Sequence, residues 1–215
     1  GHNTITMTEI IDFLLSPYQS ATISNILLEI TAVVLGILSV WYAKMENILV
    51  FPTGIISTSI YVYICIQFSL YGDVIINFYY TLMSLYGWYA WKQNKEGHTL
   101  SISVASLKDI GKALCIFLFT IVVVISVYLY FDRYNQLTDY FDTFTTGIFF
   151  AAMWLMAQKK IEHWLFWIIG NIISIPLYIV KGLGFSGIQF TIFLILAIQG
   201  YFEWKKLLNN TQQAA

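Results

Sequence analysis

Charge is what this sequence has least of. Only 11% of its 215 residues are Asp, Glu, Lys or Arg, where a soluble domain carries about 25%. That excludes an ordinary solvated globular domain. The 11 basic and 12 acidic side chains leave a net charge of −1, and with it no basic surface for nucleic acid. Cysteine is nearly absent. Cys65 and Cys115 fall in separate apolar runs, toward opposite membrane faces, so no disulfide joins them. The three histidines, His2, His98 and His163, show no metal-ligand spacing; neither a metal nor a cofactor is expected.

Recognisable catalytic and energy-coupling motifs are missing too. There is no phosphate-cradling glycine loop, so the chain does not drive work with ATP by itself. No serine–histidine pair, HExxH or close aspartate pair lies inside the apolar runs, which argues against a membrane-embedded enzyme. The last run holds no lysine before Lys205, which removes a retinal photoreceptor. No cleavable signal peptide is evident. Gly1 to Thr6 reads as an appended remnant ahead of a native start at Met7.

What is present is apolar and aromatic: 58% and 18% of residues, with a mean hydropathy of +0.70. Runs of about 20 residues favour membrane helices over the roughly 10-residue alternating strands of a barrel. After a short amphipathic piece, Glu9 to Tyr18, with Ile10, Ile11, Leu14 and Leu15 on one face and Pro17 ending it, seven spans are expected. They are Ile23–Ala43, Ile48–Gln67, Val74–Trp91, Leu107–Phe131, Phe141–Gln158, Trp164–Val180 and Phe185–Trp204. The link between the third and fourth is polar, with an alternating piece (Leu100, Ile102, Val104) that reads as extended.

Lysine and arginine set an orientation. The face holding the N-terminus carries only Arg133 and Lys181. The other carries Lys44, Lys92, Lys95, Lys108, Lys112, Lys159, Lys160, Lys205 and Lys206. The positive-inside rule therefore places the N-terminus outside and the C-terminus in the cytoplasm.

An internal repeat is visible. Gly87-Trp88-Tyr89-Ala90-Trp91-Lys92 closes span three, and Gly200-Tyr201-Phe202-Glu203-Trp204-Lys205 closes span seven. Glu29 precedes Trp41 by the same interval as Asp142 precedes Trp154, and Lys44-Met45-Glu46-Asn47 resembles Lys160-Ile161-Glu162-His163. Two three-helix units separated by one helix have the same orientation, related by an axis along the membrane normal. The expected fold is an all-α integral membrane protein in a three-one-three layout. Residues 1–22 form a tail with the amphipathic piece and 23–92 the first repeat. Residues 93–106 form a cytoplasmic loop, 107–131 a linker helix, 132–206 the second repeat and 207–215 a C-terminal tail. The linker, nearly free of polar groups, is expected to face lipid outside any pathway.

Polar groups inside such spans are costly unless they meet protein, water or a ligand. Glu29 is expected to face the bundle interior or a water-filled cavity as a cation or proton site, or else to cap a neighbouring helix or snorkel outward. Asn77, Tyr80 and Ser84 share a face of span three, and Gln189 and Phe193 take nearly the places of Asn77 and Tyr80 in the second unit. Trp164, Trp167 and Asn171 share a face of span six: either a slot for a flat solute or an interfacial belt with an interhelical amide. Pro52 and Pro176 are expected to kink their spans.

The Trp164-x-x-Trp167-x-x-x-Asn171 pattern, the Gly87-Trp88-Tyr89-Ala90-Trp91 ending and the three-one-three layout resemble the PnuC family of bacterial vitamin transporters, from about Ser24 to Lys206. The resemblance implies a fold similar to full-length SWEET sugar transporters. It implies import of nicotinamide riboside, with thiamine or riboflavin as the alternatives known in close relatives, across the bacterial cytoplasmic membrane. It further implies facilitated diffusion, with trapping by a cytoplasmic kinase. Trp164, Trp167 and Asn171 carry over as substrate contacts. Asn77, Tyr80, Gln189, Phe193 and Glu29 rest on the repeat argument. Nicotinamide riboside is a flat cation, which tryptophan faces attract. The exposed aromatics of the helices are compatible with a homo-oligomer as well as with lipid. A passive structural subunit is the remaining alternative.

Overall fold

A computed structural model describes residues 4–19, 21–69, 71–95, 98–131, 137–180 and 182–215. Arg133, Lys181 and His2 of the sequence argument lie outside the described residues, as do the side chains of Lys95 and His98. The described chain is helical apart from one short hairpin. The helices are α1 (Met7–Leu15), α2 (Ile23–Lys44), α3 (Val50–Gln67), α4 (Tyr71–Lys92), α5 (Leu107–Tyr130), α6 (Leu137–Ala157), α7 (His163–Val180) and α8 (Gly184–Ala214). A one-turn 3-10 piece, Ser16–Tyr18, follows α1, and Asn94–Lys95 pairs antiparallel with His98–Thr99.

Each of the seven expected spans is a helix; among the described residues α2, α3, α5, α7 and α8 are long and apolar enough by composition to cross a membrane. The other two, α4 and α6, have comparable lengths of 22 and 21 residues. They are diluted by polar side chains: Asp73, Asn77 and Ser84 in one, Asp139, Asp142 and a run of threonines in the other. The last helix passes the expected end at Trp204 and runs to Ala214. Pro52 does not kink α3. It sits in the first turn, where a missing N–H costs no helical bond. Pro176 does lie inside α7.

The helices pack as two chains of neighbours, α2–α3–α4 and α5–α6–α7–α8, closed on each other by α2 against α8 and α4 against α6. Matching features on the two sides lie 113 residues apart, the interval between Glu46 and Lys159. These two residues take the left-handed conformation, at φ 54° and 52°, where glycine is the usual occupant. Each ends its helix in the same pair of bonds. Glu46 N–H donates to Ala43 O and Asn47 N–H to Tyr42 O; Lys159 N–H donates to Met156 O and Lys160 N–H to Leu155 O. Ser69 and Gly182, at the opposite ends of α3 and α7, form the second left-handed pair. The Lys44/Lys160 tetrapeptide likeness is thus displaced by three residues: in space Glu46 corresponds to Lys159, not to Glu162.

The core lies at the end of the bundle where these two turns meet. Trp91 Nε1 donates to Met156 O at 3.0 Å, and Trp204 Nε1 donates to Ala43 O at 2.8 Å, each helix end tying itself to the other side. Gly87 lets Phe51 lie against α4, and Gly200 lets Trp164 lie against α8; a Cβ would meet those rings at 2.3 and 2.6 Å. Lys159 Nζ reaches Glu46 Oε1 at 2.8 Å and sits 4.6 Å from the Trp91 ring centre. The loop before α5 docks beside this core: Ser103 N–H donates to Lys159 O, Ile161 N–H to Ser103 O, and Ala105 N–H to the Glu162 carboxylate. Ile102 of the expected extended piece is buried there.

Candidate functional site

Above the aromatic floor of Phe51 and Trp164 lies a cavity of about 440 Å³, within the roughly 300–1,000 Å³ of small-molecule sites. Seven of the eight residues singled out in the sequence line it: Trp164, Trp167, Asn171, Asn77, Tyr80, Gln189 and Phe193. The eighth, Glu29, does not. Its carboxylate accepts a 2.7 Å hydrogen bond from the Tyr18 hydroxyl, so the N-terminal segment occupies it. Burial and the Glu29 charge push the Tyr18 hydroxyl well above the usual tyrosine range. The cavity takes the matching Asp142 instead, together with Asp73 at the start of α4. Tyr61 also lines the cavity.

The α7 face is helical arithmetic made visible. Trp164, Trp167, Asn171, Ser174 and Tyr178 follow at three- and four-residue steps and all line the space. Their settings differ. Trp164 is 1% exposed, wedged edge-on to Trp204 with ring centres 5.7 Å apart and flanked by His163 at 4.4 Å. It forms floor rather than wall. Trp167 is half-buried and stacks on Phe149 at 5.3 Å and 27°. Phe149 lies parallel to Phe190 at 6.2 Å, and Phe190 meets Tyr178 at 4.9 Å and Phe193 at 6.1 Å. On the other side Tyr80 stacks on buried Phe150 at 4.2 Å and 16°.

The two sides of the cavity are related in position and opposite in bulk. Gly36 of α2 packs against Ser57 of α3, and Ser57 donates to Ala32 O at 2.7 Å. Their counterparts are Phe149 of α6 and Gly170 of α7, where a Cβ would meet the Phe149 ring at 2.2 Å. Gly54, which faces Ser39 and Ser84, is the counterpart of Trp167. One wall is therefore dominated by aromatics around Trp167, and the facing one is smaller and hydroxyl-rich, with Ser39, Ser57, Thr58 and Ser84 beside Tyr61 and Tyr80. A flat solute would stack on the first and present its polar edge to the second.

Sequence reasoning missed Phe149, Phe190, Tyr61, Ser174 and Asp73. Ser174 continues the helical spacing of Trp167 and Asn171, which could have found it; for Phe149 only the repeat gives a signal, pairing it with Gly36. The linker expectation is corrected as well. Tyr128 of α5 is 1% exposed, lines the cavity and donates to Asp142 Oδ2 at 3.4 Å. Helix α5 packs mainly on α6, so one polar residue on that face reaches through to the space.

Comparison with known proteins follows this geometry. Residues 26–206 match the family model described as nicotinamide mononucleotide transporter. The chain is 22% identical over 202 residues to the nicotinamide riboside transporter PnuC of Escherichia coli (strain K12), covering 82% of this chain and 84% of that one. It is 30% identical over 183 residues to the nicotinamide riboside transporter PnuC of Haemophilus influenzae, covering 82% and 78%. Its fold is similar to the crystal structure of the vitamin B3 transporter PnuC, with a TM-score of 0.67 and 22% identity over 96% of this chain and 94% of that one. A multi-pass helical membrane protein and not an enzyme, the chain belongs to the nicotinamide mononucleotide transporter family.

Proposed function

We propose that the chain imports nicotinamide riboside across the bacterial inner membrane by facilitated diffusion, binding it in the central cavity. The observation that carries this reading is the lining. Among the described residues the cavity wall holds two carboxylates, Asp73 and Asp142, an aromatic bank around Trp167 and Phe149, and no Lys, Arg or His. A pyridinium cation gains from both the rings and the carboxylates. A phosphate monoester carries nearly two negative charges and finds no Lys, Arg or His among the described lining residues. The nucleoside is thus favoured over the nucleotide that gives the family its name.

The site residues proposed are Trp167, Asn171, Asn77, Tyr80, Gln189 and Phe193, with Trp164 as floor and Asp142 in the role first given to Glu29. The helices are assigned as two three-helix repeats of like orientation, α2–α4 and α6–α8, with α5 as linker; the reciprocal tryptophan bonds and the paired left-handed turns support this. The N-terminus lies outside and the lysine-rich end in the cytoplasm. Transport proceeds by rocking of one repeat against the other, and phosphorylation by a cytoplasmic kinase retains the product.

The test is titration of the purified chain, followed by tryptophan fluorescence, with nicotinamide riboside, nicotinamide mononucleotide, thiamine and riboflavin. Saturable quenching by the riboside, with the mononucleotide at least about 100-fold weaker, is expected. Equal affinity for the mononucleotide defeats the electrostatic argument. Preference for thiamine or riboflavin keeps the cavity and changes its cargo.

A further inference from the structure

Ser174 is, with Trp164 of the floor, one of two cavity side chains whose buried polar atom lacks a partner among the described residues. It is 1% exposed, and among the described residues its Oγ has no hydrogen-bond partner. Serine inside a helix ordinarily settles its hydroxyl on the carbonyl one turn back. Others in this chain do so: Thr53 on Leu49 O, Thr58 on Gly54 O, Ser126 on Val122 O and Thr191 on Gly187 O. Ser57, on the matching helix α3, reaches Ala32 O. A buried hydroxyl left unbonded is a standing cost, and this one lines the cavity one turn beyond Asn171.

We propose that Ser174 is a specificity-determining residue that hydrogen-bonds a ribose hydroxyl of the transported nucleoside. The inference rests on the functional reading above and deepens it. Its direction comes from helix geometry. Seven residues at 1.5 Å each place Ser174 about 10 Å along α7 from Trp167. A ring stacked on Trp167 and Phe149 carries a short carboxamide on one side and the longer ribose on the other, and the ribose spans that distance better. Asn171, midway, is placed for the atoms joining the two.

The experiment compares wild type, Ser174→Ala and Ser174→Thr with two probes, nicotinamide riboside and 1-methylnicotinamide. The second keeps the cationic ring and carboxamide and lacks the sugar. For Ser174→Ala, riboside affinity falls about 5- to 10-fold, one neutral hydrogen bond, while affinity for 1-methylnicotinamide is unchanged. Ser174→Thr, which keeps the hydroxyl, recovers part of the loss. Equal loss on both probes, or none on either, overturns the proposal.

A ligand-free arm separates this inference from the functional reading. Without ligand, Ser174→Ala melts at or above the wild-type temperature, because an unbonded buried hydroxyl has been removed. A melting point several degrees lower marks the hydroxyl as structural and overturns the proposal even where wild type binds the riboside. Failure of wild type to bind the riboside overturns the ribose assignment along with the functional reading; the melting arm then reports on the hydroxyl alone.

Discussion

At single positions, what decides is how closely backbones approach. Gly87 and Gly200 are required because Phe51 and Trp164 occupy the volume where a side chain would begin. Alanine at either is expected to cost about 1–3 kcal/mol, the range for overpacking, and to lower the melting temperature in detergent. Gly111 of α5 has nothing within 4 Å of its Cβ position. Alanine there should raise stability by about 0.5–1 kcal/mol, the helix-propensity gain. Similar melting points for all three variants would count against the packing account. Trp91→Phe and Trp204→Phe each remove a buried N–H donor from a carbonyl of the opposite side. Each is expected to cost about 1–2 kcal/mol by the same measurement. Residue-scale legibility was uneven. Trp167 and Asn171 were readable because helical spacing places them on one face. The sequence offers Glu29 as the interior carboxylate, and it is Asp142 that lines the cavity, because depth in a span says nothing of which neighbour turns toward a side chain. Tyr18 turned toward Glu29, and the cavity turned toward Asp142.

Among the elements, the N-terminal segment behaves as more than a surface strip. Phe13 and Leu14 of α1 crowd Gly184 at the start of α8, Tyr18 packs edge-on to Phe185 at 5.5 Å, and its hydroxyl holds Glu29. The segment thus ties α8 to α2. The Tyr18 hydroxyl is raised from its ordinary value near 10 by burial and then by Glu29. A raised value means stability present below that pH and lost as pH rises through the folded-state value. Wild type is therefore expected to lose thermal stability above about pH 10 more steeply than Tyr18→Phe, in melts stepped through the alkaline range. Parallel profiles would mean that the contact carries no linkage. The amphipathic pattern showed α1 but not its contacts, since Gly184 and Phe185 lie far along the chain. Nor did the apolar run of α5 reveal Tyr128 reaching the cavity, because composition averages over faces. The hydropathy of α4 and α6 is low for the complementary reason: their polar residues line the space that the more apolar helices help enclose.

Across the whole molecule, the interval of 113 residues between Glu46 and Lys159 organises both the core and the cavity. The pattern was legible at Trp91 and Trp204, because each closes its helix and donates to a carbonyl of the other side. Its true register in the turns was not, because a left-handed turn is defined by backbone angles that Glu46 and Lys159 adopt without the glycine that usually marks them. Their ion pair, at 28% side-chain exposure for Glu46 and 9% for Lys159, is buried enough to matter and open enough to be discounted. Glu46→Lys or Lys159→Glu alone is expected to cost about 1–3 kcal/mol, and the double exchange to recover most of it. Additive losses in the double variant would show that each side chain acts through other neighbours.

That ion pair also speaks to ancestry. In two identical chains around a two-fold axis, a position lying on the axis meets its own copy, so a glutamate at this turn would face a glutamate and a lysine a lysine. Here one position carries both signs, one in each half. The halves have become unlike where they touch, and each now repels a second copy of itself while attracting its sibling. Produced as separate polypeptides, they would be expected to recover the fold as a mixed pair and not as either matched one.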